Sequence, residues 1–434
     1  MPVKIPGRME TAALFFYEAL WKVAIPFLSR NKRLAEGLAH RKLERKLPKA
    51  NLWIQAASAG ESYLAQSILK SLKFSKPIHV LVTSNTRQGI DILAGTASDM
   101  TSKKGNISLS SAYFPFDRPS IMRQAVKEVS PDVMVLLESD LWPGLLSALK
   151  RAGIKVLVIN GRMVEKSLRH YQIWPFFWKN LAPDGIYAVS YEDALRFRAL
   201  FGKDRVSVMS NIKFDRITTS DTQPEIFESI KRILPPGIPF LVLASVRKEE
   251  EPLILKMIQK ILAQQPKTVI GLFPRHMHRL LHWQKALGKI SIPWRYRSET
   301  NEPVQPGTVI VWDKFGELAS SYQLAGAAFV GGSLVPLGGQ NFLEPLMCGI
   351  NPVIGPSWFH FYWVGKQIID LKLVHMADDW GTAADMLIKA LQSAFSRENV
   401  RQAARSYIKQ RRGGTTQACR IIGQCLATMS ANRK

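Results

Sequence analysis

Short apolar runs recur along this chain, each followed by a polar or glycine-bearing turn and then by a helix-period pattern. Residues 51–57 (NLWIQAA) lead into Gly60, Glu61 and a helix pattern carrying Leu64, Ile68 and Leu69. Residues 78–82 (IHVLV), 133–137 (VMVLL), 155–159 (KVLVI) and 185–189 (GIYAV) continue the series, and 103–110 reads as a smaller strand. Runs of this kind suit strands buried on both faces, and their alternation with helices predicts a parallel α/β sheet. A second series follows the polar, proline-containing stretch 218–236. Its strands are predicted at 240–244, 267–273, 308–311, 326–330 and 353–354, with helices at 252–263 and 318–324. Residues 402–430 have a helical pattern broken at Gly413 and Gly414.

This organisation predicts two Rossmann-like domains facing a cleft. Residues 1–50 form an amino-terminal helix and a basic connecting segment. A first Rossmann-like domain is expected over 51–215, a linker over 216–235 and a second domain over 236–400. The helical segment 401–434 is a candidate to pack back on the first domain. In sheets of this type ligand groups lie on loops leaving the carboxyl ends of strands, so the residues that follow the apolar runs are the ones to weigh.

Residues 12–28 are mostly apolar, with Phe15, Phe16, Leu20, Trp21, Phe27 and Leu28, but Glu18 and Lys22 interrupt them and Pro26 lies near their end. A full membrane span needs about 20 predominantly apolar residues. A basic stretch follows, with Arg30, Lys32, Arg33, Arg41, Lys42, Arg45, Lys46 and Lys49. An aromatic apolar helix beside such a stretch suits the interface of an anionic leaflet; the plainer alternative is a helix packed on the domain. The small-residue pattern of a cleaved signal is unclear here.

The 434 residues carry a formal charge of +25, which favours an anionic partner: a nucleotide, a nucleic acid or an acidic membrane face. No RNA-binding aromatic motif and no zinc-finger spacing occurs, so nucleic acid is not expected. An apolar fraction of 46% excludes a wholly disordered chain. Cys348, Cys419 and Cys425 are too few and too scattered for a disulfide framework or a zinc cluster.

Glu61 follows Ser58, Ala59 and Gly60 and opens a helix. It is a candidate general base for an attacking hydroxyl, or a carboxylate that caps the helix. The helix start is expected to hold its pKa down. Glu138 and Asp140 follow VMVLL and suit a metal, substrate hydroxyls or a helix cap. No third ligand stands at a convincing spacing, so no metal is expected. Arg162, after the next strand, suits a two-pronged grip on a carboxylate, or is a solvated surface cation. Ser245, with Arg247 and Lys248, precedes a helix start that can hold phosphate, or the charge cluster 247–251 is a solvated helix opening. Arg275 and Arg279 offer two cations near a strand end, and their spacing would put them on one helix face. His276 and His278 lack evident partners for zinc. The strongest local signal is 329–345 (FVGGSLVPLGGQNFLEP). Gly331, Gly332, Gly338 and Gly339 permit tight turns and close backbone approach, and Ser333, Asn341 and Glu344 accompany them. That segment is not a Walker A loop, and the first domain has no GxGxxG fingerprint.

Taken together, WIQAASAGE (53–61), YFPFD (113–117), ESDLWP (138–143), NGRM (160–163), NIKFD (211–215), PRHMHR (274–279) and GGSLVPLGGQNFLEP (331–345) resemble the Kdo transferases of Gram-negative bacteria over nearly the whole chain. The resemblance implies a GT-B glycosyltransferase with an amino-terminal membrane-associated helix, at the cytoplasmic face of the inner membrane. It implies inverting transfer of Kdo from CMP-Kdo, a donor substrate, to lipid A precursor (lipid IVA), with no cofactor. It maps the catalytic base onto Glu61 and a donor-phosphate contact onto Arg275. It puts the donor nucleotide near Gly331, Gly332, Ser333, Asn341 and Glu344, to which Ser245 is added as a donor-binding candidate from its own position after a strand, and it assigns Ser58, Gly60 and Arg162 to acceptor or sugar recognition. Three places depart from the family pattern. Gln55 and Gln340 stand where histidines are usual, and Val246-Arg247-Lys248-Glu249 replaces a Thr-His-Glu-Gly-like run. Glutamine keeps a hydrogen bond but supplies no charge.

Overall fold

The computed structural model describes residues 8–101, 105–138, 140–217, 223–393 and 396–431. Ser139, the expected strand start at 103–104 and residues 218–222 lie outside them. Contacts group residues 1–217 with 411–434 as one compact unit and residues 218–410 as a second.

The first unit holds β1 (Leu52–Gln55), β2 (Ile78–Ser84), β3 (Ile107–Tyr113), β4 (Val133–Leu137), β5 (Lys155–Gly161), β6 (Gly185–Ala188) and β7 (Val206–Val208). All pairs are parallel, in the order β3-β2-β1-β4-β5-β6-β7. Alternation along β4 explains why its whole run is apolar. Met134 and Leu136 enter the core beneath the helices Pro119–Val129 and Pro143–Arg151. Val133, Val135 and Leu137 enter the core on the other face, with the helix Ala59–Ser71. Side chains two apart share a face, so a strand covered on both sides has no polar position.

That second face is completed from the far end of the chain. Ala418, Ile422 and Leu426 of the helix Gly414–Ala431 join its core. Asp215 fastens this helix by accepting the Gly413 and Thr415 N–H groups at 2.7 and 2.6 Å. Gly414 is required there, because a Cβ would stand 2.4 Å from the Ser210 carbonyl oxygen.

The second unit holds β8 (Phe240–Val246), β9 (Val269–Pro274), β10 (Trp294–Tyr296), β11 (Val309–Val311), β12 (Ala327–Val330), β13 (Val353–Ile354) and β14 (His375–Met376). Its parallel order is β10-β11-β9-β8-β12-β13-β14. The helix Pro224–Ile233 belongs to this unit and buries Ile230 and Ile233 in its core. Each sheet has one switch point, where successive connections leave in opposite directions: between β1 and β4, and between β8 and β12.

The amino-terminal helix Arg8–Leu28 is docked on the first unit by its polar residues. Glu18 takes Arg118 Nε at 2.5 Å and both the N–H and the hydroxyl of Ser120 at 2.9 Å, so it caps the helix Pro119–Val129. Tyr17 donates to Asp117 at 3.0 Å, and the Trp21 ring lies 5.6 Å from that of Phe116. Asp117 in turn accepts the Gly144 and Leu145 N–H groups at 2.9 and 2.7 Å, at the start of the helix Pro143–Arg151. The opposite face carries Phe16, Leu20, Val23 and Phe27 at helical spacing, each 66–69% exposed. By length and composition Thr11–Leu28 is able to cross a membrane.

Candidate functional site

Charged side chains gather at both switch points. In the first unit Ser58 is the N-cap of the helix that follows β1. Its hydroxyl accepts the Glu61 N–H at 3.3 Å and donates to Glu61 Oε1 at 3.0 Å, while the Ala57 N–H donates to Glu61 Oε2 at 2.6 Å. Ser58 thus caps the helix and Glu61 ties the preceding turn to it, so Glu61 does serve the helix start. That start does not hold its pKa down, contrary to the expectation from sequence. Burial is the largest influence and the charge of Asp140 the next. Against the Ala57 and Ser58 hydrogen bonds, and with Glu138 adding to the rise, they push the carboxyl up to about 7. Gly60 lies exposed beside it, and a Cβ there would meet only the Ser58 hydroxyl, at 3.7 Å.

The loops after β4 and β5 supply the neighbours. Glu138 and Asn160 both adopt left-handed backbone, at φ 57° and 58°. Such conformations in non-glycine residues cost energy and concentrate at functional sites. Asn160 donates to Glu138 Oε1 at 3.5 Å and accepts the Ile212 N–H at 2.9 Å. The Glu138 carboxylate meets Lys213 at 2.6 Å and Arg162 at 3.7 Å. Burial raises the Asp140 carboxyl, with Trp142 and Gln55 beside it pulling the other way and Glu138 adding to the rise. Gln55 is fully buried, accepts the Thr83 hydroxyl at 2.5 Å and donates to Asn85 at 3.3 Å. Sequence reasoning gave Lys213 no role. It stood in a quoted motif, but its partner Glu138 is 75 residues distant and only the fold brings them together.

This arrangement has a pH signature. A base works only when deprotonated, so activity that uses Glu61 is expected to rise as pH passes about 7. Asp140 is the leading charged neighbour that raises it. Asp140→Asn removes that charge and is expected to move the acidic limb of a kcat/KM profile to lower pH. An unmoved limb in a folded, active variant would sink this account of the base.

In the second unit, β8 ends at a bulge where Ser245 has φ 53°. The glycine-rich loop after β12 packs against it: Gly331 N–H donates to the Ala244 carbonyl at 2.8 Å, and a Cβ on Gly331 would lie 3.0 Å from the Ala244 and Ser245 oxygens. Glu250, fully buried, accepts the N–H groups of Gly332, Ser333 and Leu334 at 2.5, 2.8 and 2.8 Å. Ser333 also donates its hydroxyl to the Val330 carbonyl at 2.6 Å and accepts the Gly355 N–H at 2.8 Å. The loop closes on itself through Gly339 N–H to the Gly332 carbonyl, at 2.7 Å. Gln340 lies against Gly332, and Phe359 and His360 lie against Gly338.

Asn341 donates to Glu344 Oε1 at 2.8 Å, and its own oxygen accepts the Leu343 N–H at 3.2 Å. Burial raises the Glu344 carboxyl, while Asn341 and nearby Arg275 lower it. Arg275 is exposed. It does not share a helix face with Arg279, as its spacing suggested. Pro274 ends β9, His276 is extended, and only Met277–Arg279 form a single 3-10 turn. Arg279 instead forks onto buried Glu251 at 2.9 and 2.5 Å.

A family model described as 3-deoxy-D-manno-octulosonic-acid transferase (kdotransferase) matches residues 30–216. A 3-deoxy-D-manno-octulosonic acid transferase of Haemophilus influenzae is 27% identical over 377 residues, covering 84% of this chain and 85% of its own. One from Bordetella pertussis is 28% identical over 375 residues, with 84% and 85% covered. The crystal structure of a glycosyltransferase from Rickettsia africae matches with a TM-score of 0.56 at 10% identity, over 88% of this chain and 99% of that one. That likeness concerns the fold alone, which is the two-sheet GT-B architecture.

Proposed function

Because the chain belongs to the 3-deoxy-D-manno-octulosonic-acid transferase family, we propose that it transfers Kdo from CMP-Kdo, with inversion, to a hydroxyl of the lipid A precursor lipid IVA. The observation that carries the reading is the placement of Glu61: a carboxyl at the end of the turn after β1, held by the Ser58 hydroxyl and the Ala57 N–H, where burial and then the charge of Asp140 push it up to about 7. A base poised there takes a proton near neutral pH without being permanently protonated.

In the proposed step Glu61 removes the acceptor hydroxyl proton as that oxygen bonds to the anomeric carbon of Kdo. The bond from that carbon to the phosphate oxygen breaks, and CMP leaves with the electron pair. Arg275 faces the phosphate as charge builds on the leaving oxygen. Ser245, Asn341 and Glu344 hold the nucleotide and its ribose. Arg162, with Ser58 and Gly60, contacts acceptor or sugar. The N–H groups of Gly332 and Ser333 are already engaged by Glu250, so these residues and Gly331 shape the donor site through the path of their backbone. No step requires a metal or cofactor.

We place the protein at the cytoplasmic face of the inner membrane, with the exposed face of Arg8–Leu28 lying in the interface. Glu18 serves the body of the protein, and Phe16, Leu20, Val23 and Phe27 face outward, which is the division an interfacial helix needs. Replacing those four by serine is expected to lower co-sedimentation with anionic vesicles severalfold without unfolding the protein. Undiminished binding by the folded variant contradicts this placement.

The departures at Gln55, Gln340 and 246–249 lend some weight to another nucleotide sugar as donor. Competition separates the two. If CMP stabilises the protein against heat and UDP does not, the CMP-sugar reading stands; preferential stabilisation by UDP replaces it.

A further inference from the structure

Consecutive backbone N–H groups that converge on one point make an anion-binding concavity. Gly332, Ser333 and Leu334 make one in the glycine-rich loop, and the group inside it is the carboxylate of Glu250. The Arg247 N–H adds a fourth donor at 3.3 Å. Gly332 has φ 68°, the left-handed geometry that lets neighbouring N–H groups turn toward a shared centre. Glu250 is fully buried, though it belongs to a run of charged residues.

We infer that Glu250 is the positioning residue of the donor site: an internal anion that fills the loop's concavity and locks two loops into one piece. The bond network joins the segment after β8, just beyond Ser245 at the end of that strand, to the loop after β12, across two strands that are direct neighbours. The backbone path toward Asn341 and Glu344 is thereby fixed before any ligand arrives. The same occupancy closes the concavity to a donor phosphate, which leaves phosphate contact to Arg275. Preorganisation of this kind lowers the cost of binding. Without Glu250 the N–H groups of Gly332, Ser333 and Leu334 lose their acceptor, the loop loses its single conformation, and the vacant concavity accepts other small anions.

The test uses the full chain with Glu250→Ala and Glu250→Gln, and two small-anion probes, sodium formate and inorganic phosphate. The kinetic arm rests on the donor reading above; the thermal arm does not. For Glu250→Ala the donor KM is expected to rise by about tenfold or more, with kcat changed less. Excess formate is expected to restore KM toward wild type, since it returns a carboxylate to the concavity. Formate and phosphate are expected to raise the melting temperature of Glu250→Ala more than that of the wild type. A merely structural loss would not be repaired by a free carboxylate. Equal responses of wild type and variant to both anions, or an unchanged donor KM, would overturn the inference. If the alanine variant does not fold, Glu250→Gln decides: its amide accepts at one oxygen only, so a folded protein with raised donor KM supports the role and an unchanged KM refutes it. Absence of all CMP-Kdo turnover in the wild type would reject the donor reading, while the anion-dependent melting would still decide the place of Glu250.

Discussion

Glu61→Gln is expected to lower the transfer rate by about 10²–10⁴-fold while leaving donor affinity near wild type. The amide keeps the volume and one acceptor oxygen of the carboxylate but takes no proton. Its place in the helix cap survives, because the oxygen still accepts the Ala57 N–H and the new NH₂ donates to Ser58 Oγ, which reverses one hydrogen bond without removing it. Stability is therefore expected to change little, and removing a half-buried carboxyl already held at about 7 relieves a charge beside Asp140 and Glu138. Steady-state transfer, donor binding and thermal unfolding separate these effects. A variant that transfers at near wild-type rate would remove Glu61 from the mechanism, whatever else the protein does.

Loss of Arg297 is expected to destabilise the second unit by about 3–5 kcal/mol, the cost of leaving a buried charge unpaired. Arg297 and Glu317 are both buried and pair at 2.8 Å. Arg297 also donates to the Thr300 carbonyl at 3.2 Å and to Ser229 at 2.9 Å, which ties in the helix Pro224–Ile233. Glu317 accepts Trp312 Nε1 at 2.9 Å. Arg297→Met strands the Glu317 carboxylate among Trp312 and its apolar surroundings. Adding Glu317→Leu removes the stranded charge, so the double variant is expected to be more stable than the single one. Denaturant unfolding measures both. A single variant that loses less than about 1 kcal/mol would mean that the pair contributes no more than a surface one.

The central strands were legible because burial on both faces leaves no polar position in them. β7, β10 and β14 were not predicted. They are two or three residues long, lie at the outer parts of their sheets and, Val206 apart, carry exposed or half-exposed side chains, so they are too short for alternation or an apolar run to mark them. Glu61 stood out as a carboxyl after a strand, but the direction of its pKa did not, since that depends on burial and on Asp140, almost 80 residues along the chain. From sequence alone the cluster 247–251 suits either a helix start that assists phosphate binding or a solvated helix opening. Glu250 and Glu251 are in fact buried, because their partners lie at 332–334 and 279. Glu18 interrupts an apolar run when only neighbours in sequence are considered, and it is a helix cap once Arg118 and Ser120 are beside it. In each case the local pattern named the residue and a distant partner set its role.

The most direct measurement supplies the full chain, in lipid vesicles, with a tetraacylated lipid A precursor and CMP-Kdo, and follows the mass of the lipid product. The account predicts discrete increments of one Kdo each, absent with Glu61→Gln. A folded protein that adds no Kdo mass, or that adds a different sugar from a UDP donor, would contradict it.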